Sequence, residues 1–315
     1  SRIEQVKMIE IKLSQGAKPG KGGVLPKEKI TPEIAETRDV PMDADCVSPA
    51  SHSAFTTPRE MVQFWQQLRE LSGGKPVGFK LCVGQPWQFM AIVKAMIEAD
   101  NYPDFIVVDG AEGGTGAAPV EFMDNVGMPL LDGFLLVHNT LVGAGVRDKI
   151  KIGVSGKIIS AFDIARMLAL GADWCNSARG FMFAVGCIQS RACHTNKCPT
   201  GVATQDPYRQ RALHIPDKAQ RVYNFHKNTL KSLAAIVGAV GLKHPKDLQA
   251  YHIARRLENG QIKLLSKFYY FTEPGVLLNL SARSDVFNQM WVMANPDSFL
   301  ANNEALIAYN HDVRH

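Results

Sequence analysis

The fold is decided by the stretch "DFIVVDGAEGGTGAAP" at residues 104–119. Its first half is a short apolar run typical of a buried β-strand, and its second half is a glycine-rich loop. Other apolar runs end in the same way, in glycine or small polar residues, at Met8–Leu13, Val77–Val83, Ile150–Val154 and Asp173–Asn176. This repetition predicts parallel strands whose carboxyl ends carry the functional groups.

Segments of helical period lie between most of these strands, at residues 58–71, 86–100 and 160–172. Alternating strands and helices predict an α/β fold, here a (β/α)8 TIM barrel. Because only five strands are visible, we expect the other three upstream of Ser1 and interpret the chain as the C-terminal part of the barrel. After Pro207 the pattern changes to basic amphipathic helix. The predicted domains are therefore 1–206, the barrel part, and 207–315, a helical C-terminal extension.

The composition indicates a globular protein, with 315 residues of which 46% are hydrophobic. The net charge of +5 is spread along the chain without a basic run, which argues against nucleic-acid binding. No apolar window reaches the length of a membrane span, and no signal peptide opens the chain. Six cysteines are too few for a disulfide scaffold and suit a reducing compartment. We expect a cytoplasmic protein, with membrane attachment through a missing N-terminus and homo-oligomerisation both left open.

Three features of the strand ends point to a bound anionic ligand. The loop with Gly113, Gly114 and Thr115 is either simply flexible or open to close ligand approach, and it lacks the spacing of a dinucleotide-binding fingerprint. The turns "IGVSGK" (152–157) and "CNSARGF" (175–181) are either tight packing turns or, taken together, a phosphate-binding cup. The cup would use Ser155, Gly156, Ser177, Ala178 and Arg179.

Lys80 lies inside the apolar run "VGFKLCV". An ammonium group is costly to bury without an anionic partner. The lysine either reaches solvent at the strand end or supplies positive charge to an electron-rich cofactor ring, and we favour the second interpretation.

Three cysteines follow the last strand with the spacing C-x5-C-x4-C, at Cys187, Cys193 and Cys198, and Pro199 comes directly after them. Zinc normally takes four ligands, and only His194 is nearby. Three thiolates with a trailing proline suit an iron–sulfur cluster of three irons. Three unrelated buried cysteines are the remaining alternative, which the polar residues between them disfavour.

The segments "SQGAKPGKGGVLP", "TPEIAETR", "GGTGAAP" and "GCIQSRACHTNKCPTGVATQDP" occur in this order and resemble the FMN-binding synthase domain of glutamate synthase. The likeness is greatest to the stand-alone FMN-binding glutamate synthase family proteins and runs from about Met8 to about Leu242. It implies a (β/α)8 barrel that carries FMN and a [3Fe-4S] cluster. It also implies that the cluster ligands are Cys187, Cys193 and Cys198.

The resemblance further implies a reaction, in which electrons pass through the cluster to FMN and reduce the imine formed from 2-oxoglutarate and ammonia. It implies that Lys80 acts at the flavin ring, that Lys18 has a catalytic role, and that Lys18 and Arg38 bind the 2-oxo acid. The remaining cofactor-binding residues would be Gly113, Gly114 and Thr115 along the ring, and Ser155, Gly156, Ala178 and Arg179 at the phosphate.

Two residues depart from the family pattern, because Lys21 stands where relatives carry an acid and Val24 where they carry an amide. An electron donor is expected as a partner, either a ferredoxin or an NAD(P)H-dependent reductase subunit. Two alternatives stay open beside glutamate synthesis. One is an N-methylglutamate synthase subunit, and the other is a non-catalytic flavin and iron–sulfur electron-transfer subunit.

Overall fold

The computed structural model describes residues 3–20, 22–114, 116, 119–279 and 286–312. Its strands are β1 Ile9–Lys12, β2 Val24–Leu25, β3 Cys46–Val47, β4 Val77–Leu81, β5 Phe105–Asp109, β6 Lys151–Ser155, β7 Trp174–Asn176, β8 Ala254–Arg256 and β9 Ile262–Leu264. Its α-helices are α1 Pro32–Arg38, α2 Pro58–Leu71, α3 Pro86–Ala99, α4 Leu130–Gly143, α5 Ala161–Ala169, α6 Arg179–Val185, α7 Pro207–Gln210, α8 Ile215–Ala239, α9 Leu265–Phe268, α10 Val286–Met293 and α11 Asn303–Asp312.

The central sheet has the order β1-β4-β5-β6-β7, and every neighbouring pair is parallel. Its strands lie side by side in chain order, as in a barrel, whereas a doubly wound sheet reverses direction at a switch point. The predicted α/β fold and its five strands are thereby confirmed. The sequence pattern had not indicated α4, which fills the connection between β5 and β6.

The two faces of the sheet differ in chemistry because successive side chains of a strand point to opposite faces. One face carries Ile11, Phe79 and Ile106, which are buried in the hydrophobic core under the helices. The other face carries Lys12 and Lys80, paired in register on β1 and β4. This second face therefore presents charge at the carboxyl end of the sheet.

Aromatic rings fill the amino end of that second face. Phe105 and Trp174 meet edge to face with ring centroids 6.0 Å apart. A Cβ on Gly78 would overlap Phe105, and one on Gly153 would overlap the Trp174 ring. The two glycines therefore give the rings the space that they occupy, and the charged end of the face remains open above them.

The C-terminal part packs back onto the helices of the sheet. Helix α8 contacts α5 and α6, and α10 contacts α3. Leu265, Leu277 and Trp291 belong to the same buried cluster as the sheet residues. This part is helical as predicted, apart from an antiparallel pairing of β8 with β9, and the division at 206/207 stays a prediction. Among the described residues, no helix is both long and apolar enough to cross a bilayer.

A part-buried polar network joins α4 to the starts of β6 and β7. Arg147 donates from Nε to His138 Nδ1 over 3.3 Å and from Nη2 to Asp173 Oδ2 over 2.8 Å. The same carboxylate accepts from the Ile152 N–H over 2.8 Å. Burial lowers the pKa of His138 to about 4, and the neighbouring positive charge of Arg147 adds to the effect.

We expect this histidine to make the fold sensitive to acid. Its pKa is lower in the folded chain than the ordinary value near 6.5, so the unfolded chain takes up the proton first as the pH falls. Between about pH 6.5 and about pH 4 the free energy of unfolding should decrease by about 3 kcal/mol from this group alone. Denaturant titrations across this range should show a shallower pH dependence for His138→Gln. His214→Gln, at an exposed position, is the control, and an equal slope in wild type and His138→Gln would refute the assignment.

Candidate functional site

A cavity of about 470 Å³ opens at the carboxyl ends of β4, β5, β6 and β7. The carboxyl ends of parallel strands meet at one edge of a sheet, so loops that are distant in sequence converge there. The structure thus brings together most of the predicted site residues. Those that line the cavity are Lys80, Gly113, Gly114, Ser155, Gly156, Ala178, Arg179, Cys187 and Cys193.

Lys80 is held in the cavity wall by an ion pair with Asp109. Lys80 Nζ lies 3.0 Å from Asp109 Oδ2, and the lysine side chain is 24% exposed. Asp109 follows, by two residues, the strand neighbour of Lys80, so both side chains point to the same face. The same carboxylate oxygen accepts from the Gly16 N–H over 2.8 Å. The anionic partner that a part-buried ammonium requires is therefore Asp109.

Glu112 also lines the cavity, and its carboxylate caps a helix. Its carboxylate accepts from the Leu130 N–H over 3.0 and 3.1 Å, at the amino-terminal turn of α4. Negative charge at that position stabilises the helix. A Cβ on Gly110 would overlap both groups, so this close contact requires glycine.

The residues predicted for the phosphate cup lie on the adjacent turns after β6 and β7. Ser155 ends β6, Gly156 follows it, and Arg179 opens α6. Arg179 donates from Nη2 to the Glu112 carbonyl over 3.4 Å, which places its guanidinium beside the glycine-rich loop. The Ser177 hydroxyl donates to the Ile158 carbonyl over 2.8 Å and ties the two turns together, and its part in phosphate binding stays a prediction.

The two residues expected at the 2-oxo acid lie elsewhere in this structure. Lys18 is 1% exposed and does not line the cavity, and burial, with a smaller effect of Lys12, lowers the pKa of Lys18 to about 8. Arg38 is exposed in the last turn of α1, also outside the cavity lining. Thr115 and Lys21, which the sequence patterns also singled out, lie outside the described residues.

Lys12 is a cation near the site that the sequence analysis did not single out. It stands in register beside Lys80. Its pKa is lowered by burial first, and then by the charges of Lys80 and Arg38. The sequence signal for this cation was the lysine that ends the strand "IEIK". The signal points to the site only because β1 pairs with β4, which places Lys12 beside Lys80.

The cysteine loop closes one side of the cavity. Cys187 and Cys193 line it, while Cys198 is buried behind them. Burial raises the pKa of Cys198, but hydrogen bonds from the Thr200 hydroxyl and from the N–H groups of Ala203, Thr200 and Val202 outweigh it, and the pKa lies below its ordinary value. This environment favours a thiolate, the form that binds metal.

The loop is anchored from a distance in sequence by Lys29. Its ammonium donates to the Cys193 carbonyl and, over 3.3 Å, to the Ala203 carbonyl. Asn196 Nδ2 donates to the Glu28 carbonyl over 3.2 Å. The donor chemistry thus fits an iron–sulfur cluster, but across the described part of the chain no three ligating side chains are close enough to hold a metal ion. The ligand set remains a prediction from the sequence.

The cavity fits a flat cofactor with an anionic tail. Among the described residues, no atom lies within 4 Å of where a Cβ on Gly116 would stand, and the nearest atom to a Cβ on Gly114 belongs to the Arg179 guanidinium, at 3.7 Å. A ring could therefore approach this backbone closely. The volume lies in the usual range of small-molecule sites, and Arg179 supplies a cation for a phosphate group.

Comparison with known proteins agrees with this arrangement. Residues 1–243 match the family model described as the conserved region in glutamate synthase. A glutamate synthase large subunit-like protein of Bacillus subtilis (strain 168) is 42% identical over 83% of this chain and 50% of its own length. An archaeal-type glutamate synthase [NADPH] of Thermotoga neapolitana is 35% identical over 82% of this chain and 51% of its own.

A ferredoxin-dependent glutamate synthase of Antithamnion sp. is 31% identical over 88% of this chain and 18% of its own length. The chain spans about half the length of the Bacillus and Thermotoga relatives. The family match ends at residue 243, close to the limit that the motifs had indicated. It includes every loop that lines the cavity, and the chain therefore belongs to the glutamate synthase family.

Proposed function

We propose that the protein is a glutamate synthase-type oxidoreductase, which uses FMN for the reductive amination of 2-oxoglutarate to glutamate. One observation carries the proposal. In this chain, a member of the family, a single cavity is lined by the Lys80–Asp109 pair, by the glycine-rich loop and by the turns after β6 and β7. A charge pair beside a flat glycine surface suits a flavin ring, and an adjacent turn with anion-binding groups suits its phosphate. Together these features suit FMN better than a purely structural role.

The reaction requires the carbonyl carbon of 2-oxoglutarate to gain nitrogen and then hydrogen. Ammonia adds to the carbonyl, water leaves, and the resulting imine takes up a hydride and a proton to give glutamate. FMN, when bound and reduced, supplies the hydride. The Asp109 carboxylate holds the positive charge of Lys80 at the cavity, where it would stand beside the bound flavin.

We propose that Cys187, Cys193 and Cys198 hold a [3Fe-4S] cluster. The lowered pKa of Cys198 and the position of Cys187 and Cys193 at the cavity support this ligand set. Such a cluster would supply electrons one at a time to a site that needs them in pairs. The electron donor would be a ferredoxin or an NAD(P)H-dependent reductase subunit, and relatives are named for NADPH and for ferredoxin. We further propose a cytoplasmic location.

One observation favours a second candidate function. Lys18 and Arg38, which would bind the oxo acid, do not line the cavity. A flavin and iron–sulfur electron-transfer subunit without an oxo-acid site would have this arrangement.

Single-turnover experiments separate the candidates. We expect the protein, loaded with FMN and reduced without oxygen, to reoxidise its flavin when 2-oxoglutarate and ammonium are added together, and to form one glutamate per flavin. Flavin absorbance and mass spectrometry of the product are the readouts, and 2-oxoglutarate without ammonium is the control. Turnover only with methylamine would identify N-methylglutamate synthesis. Bound flavin that transfers electrons to a dye but never to the oxo acid would support the electron-transfer candidate and refute the proposal.

A further inference from the structure

Lys157 is a cavity residue to which the proposed reaction assigns no role. It follows Gly156 in the turn after β6 and lines the cavity together with Ser155 and Arg179. Its φ angle is +49°, in the left-handed region that residues with a Cβ rarely adopt. A lysine kept in such a conformation at a ligand-binding turn suggests a function for its side chain.

The ammonium group of Lys157 is paired with a carboxylate that also lines the cavity. Lys157 Nζ lies 2.7 Å from Asp124 Oδ1, and each side chain is 40% exposed. Asp124 also lines the cavity and is also left-handed, with φ +66°. An ion pair this exposed contributes little to stability. An anion of higher charge that binds in the cavity could therefore displace the Asp124 carboxylate from Lys157 with little loss of stability.

The cations that line the cavity favour an anion with more than one negative charge. Lys80 is already engaged by Asp109 within the wall. Lys157 and Arg179 stand on the two adjacent turns after β6 and β7. A phosphate monoester carries nearly two negative charges at neutral pH, so it attracts an ammonium more strongly than the single carboxylate of Asp124 does.

We propose that Lys157 is a phosphate ligand that selects FMN over riboflavin, and that Asp124 holds its ammonium until the phosphate replaces the carboxylate. This inference rests on the proposed use of FMN. It assigns to this chain a specificity residue on the turn after β6, and Asp124 competes with the phosphate for the ammonium of that residue.

The test compares the dissociation constants of FMN and riboflavin, measured by quenching of flavin fluorescence on binding. Lys157→Met should weaken FMN binding about tenfold and leave riboflavin binding unchanged, since only FMN carries the phosphate. Asp124→Asn should tighten FMN binding by about two- to fivefold because the competing carboxylate is gone. Lys151→Met is the matched charge control, since Lys151 lies at the other end of β6 and is 67% exposed. It should change neither constant.

Each outcome decides the inference. The inference is overturned if Lys157→Met leaves the affinity for FMN unchanged. It is also overturned if the variant weakens the binding of FMN and of riboflavin equally. If that variant fails to fold, Lys157→Arg should keep the preference for FMN and Asp124→Asn should increase it, and failure of both also overturns the inference. Wild-type protein that binds neither flavin would instead refute the proposed function, which keeps the two failures distinguishable.

Discussion

Replacing Cys193 by serine is expected to abolish the visible iron–sulfur absorption of protein purified without oxygen, together with nearly all of its iron. A [3Fe-4S] cluster held by three thiolates loses a covalent anchor when one ligand is removed. The wild-type protein should contain about three irons per chain with matching acid-labile sulfide. Iron and sulfide analysis beside the absorption spectrum gives the result, and Cys198→Ser should behave in the same way.

The control for this experiment is Cys46→Ser. Cys46 lies in β3, paired with β2, and does not line the cavity. Its loss should leave iron, sulfide and spectrum unchanged. Stoichiometric zinc without sulfide in the wild-type protein would contradict the prediction and would make the cysteine loop a zinc site.

Replacing Lys80 by methionine should lower the midpoint potential of bound FMN by several tens of millivolts. The reduced flavin is anionic, so the substitution removes a cation that stabilises it. The substitution also leaves the Asp109 carboxylate, which lies 3.0 Å from the Lys80 ammonium in the wild type, without a compensating charge. At an effective dielectric of about 20, a charge about 7 Å away contributes about 2 kcal/mol. For a two-electron couple this corresponds to about 50 mV. Redox titration against indicator dyes measures the shift.

Asp109→Asn is the matched variant for this pair. It leaves the positive charge of Lys80 uncompensated, so the flavin potential should rise, and the double variant with Lys80→Met should fall between the two. The iron–sulfur spectrum should stay unchanged in all three proteins. An unaltered potential in Lys80→Met would mean that the pair stabilises the sheet and does not act on the flavin.

The helix cap of α2 shows how much local sequence determined. Thr57 and Glu60 form a reciprocal capping box with Pro58 at the first helical position, and all three signals are readable within four residues. The strand at 105–109 was equally readable, because an apolar run ending in glycines depends only on its own side chains. The family motifs are local in the same sense, which is why the sequence sufficed to predict the five-stranded fold and the family.

The partners of the charged residues were decided only by the tertiary structure. Asp109 and Glu112 are three residues apart in one loop, yet one neutralises Lys80 and the other binds the first N–H group of α4. Lys157 likewise pairs with Asp124, a residue 33 positions earlier in the chain. Which elements form is readable in the sequence, since strands and helices depend on short-range periodicity. Which charges meet depended on the register of parallel strands and on the path of the loops between them, and both are fixed by packing between segments far apart in the chain.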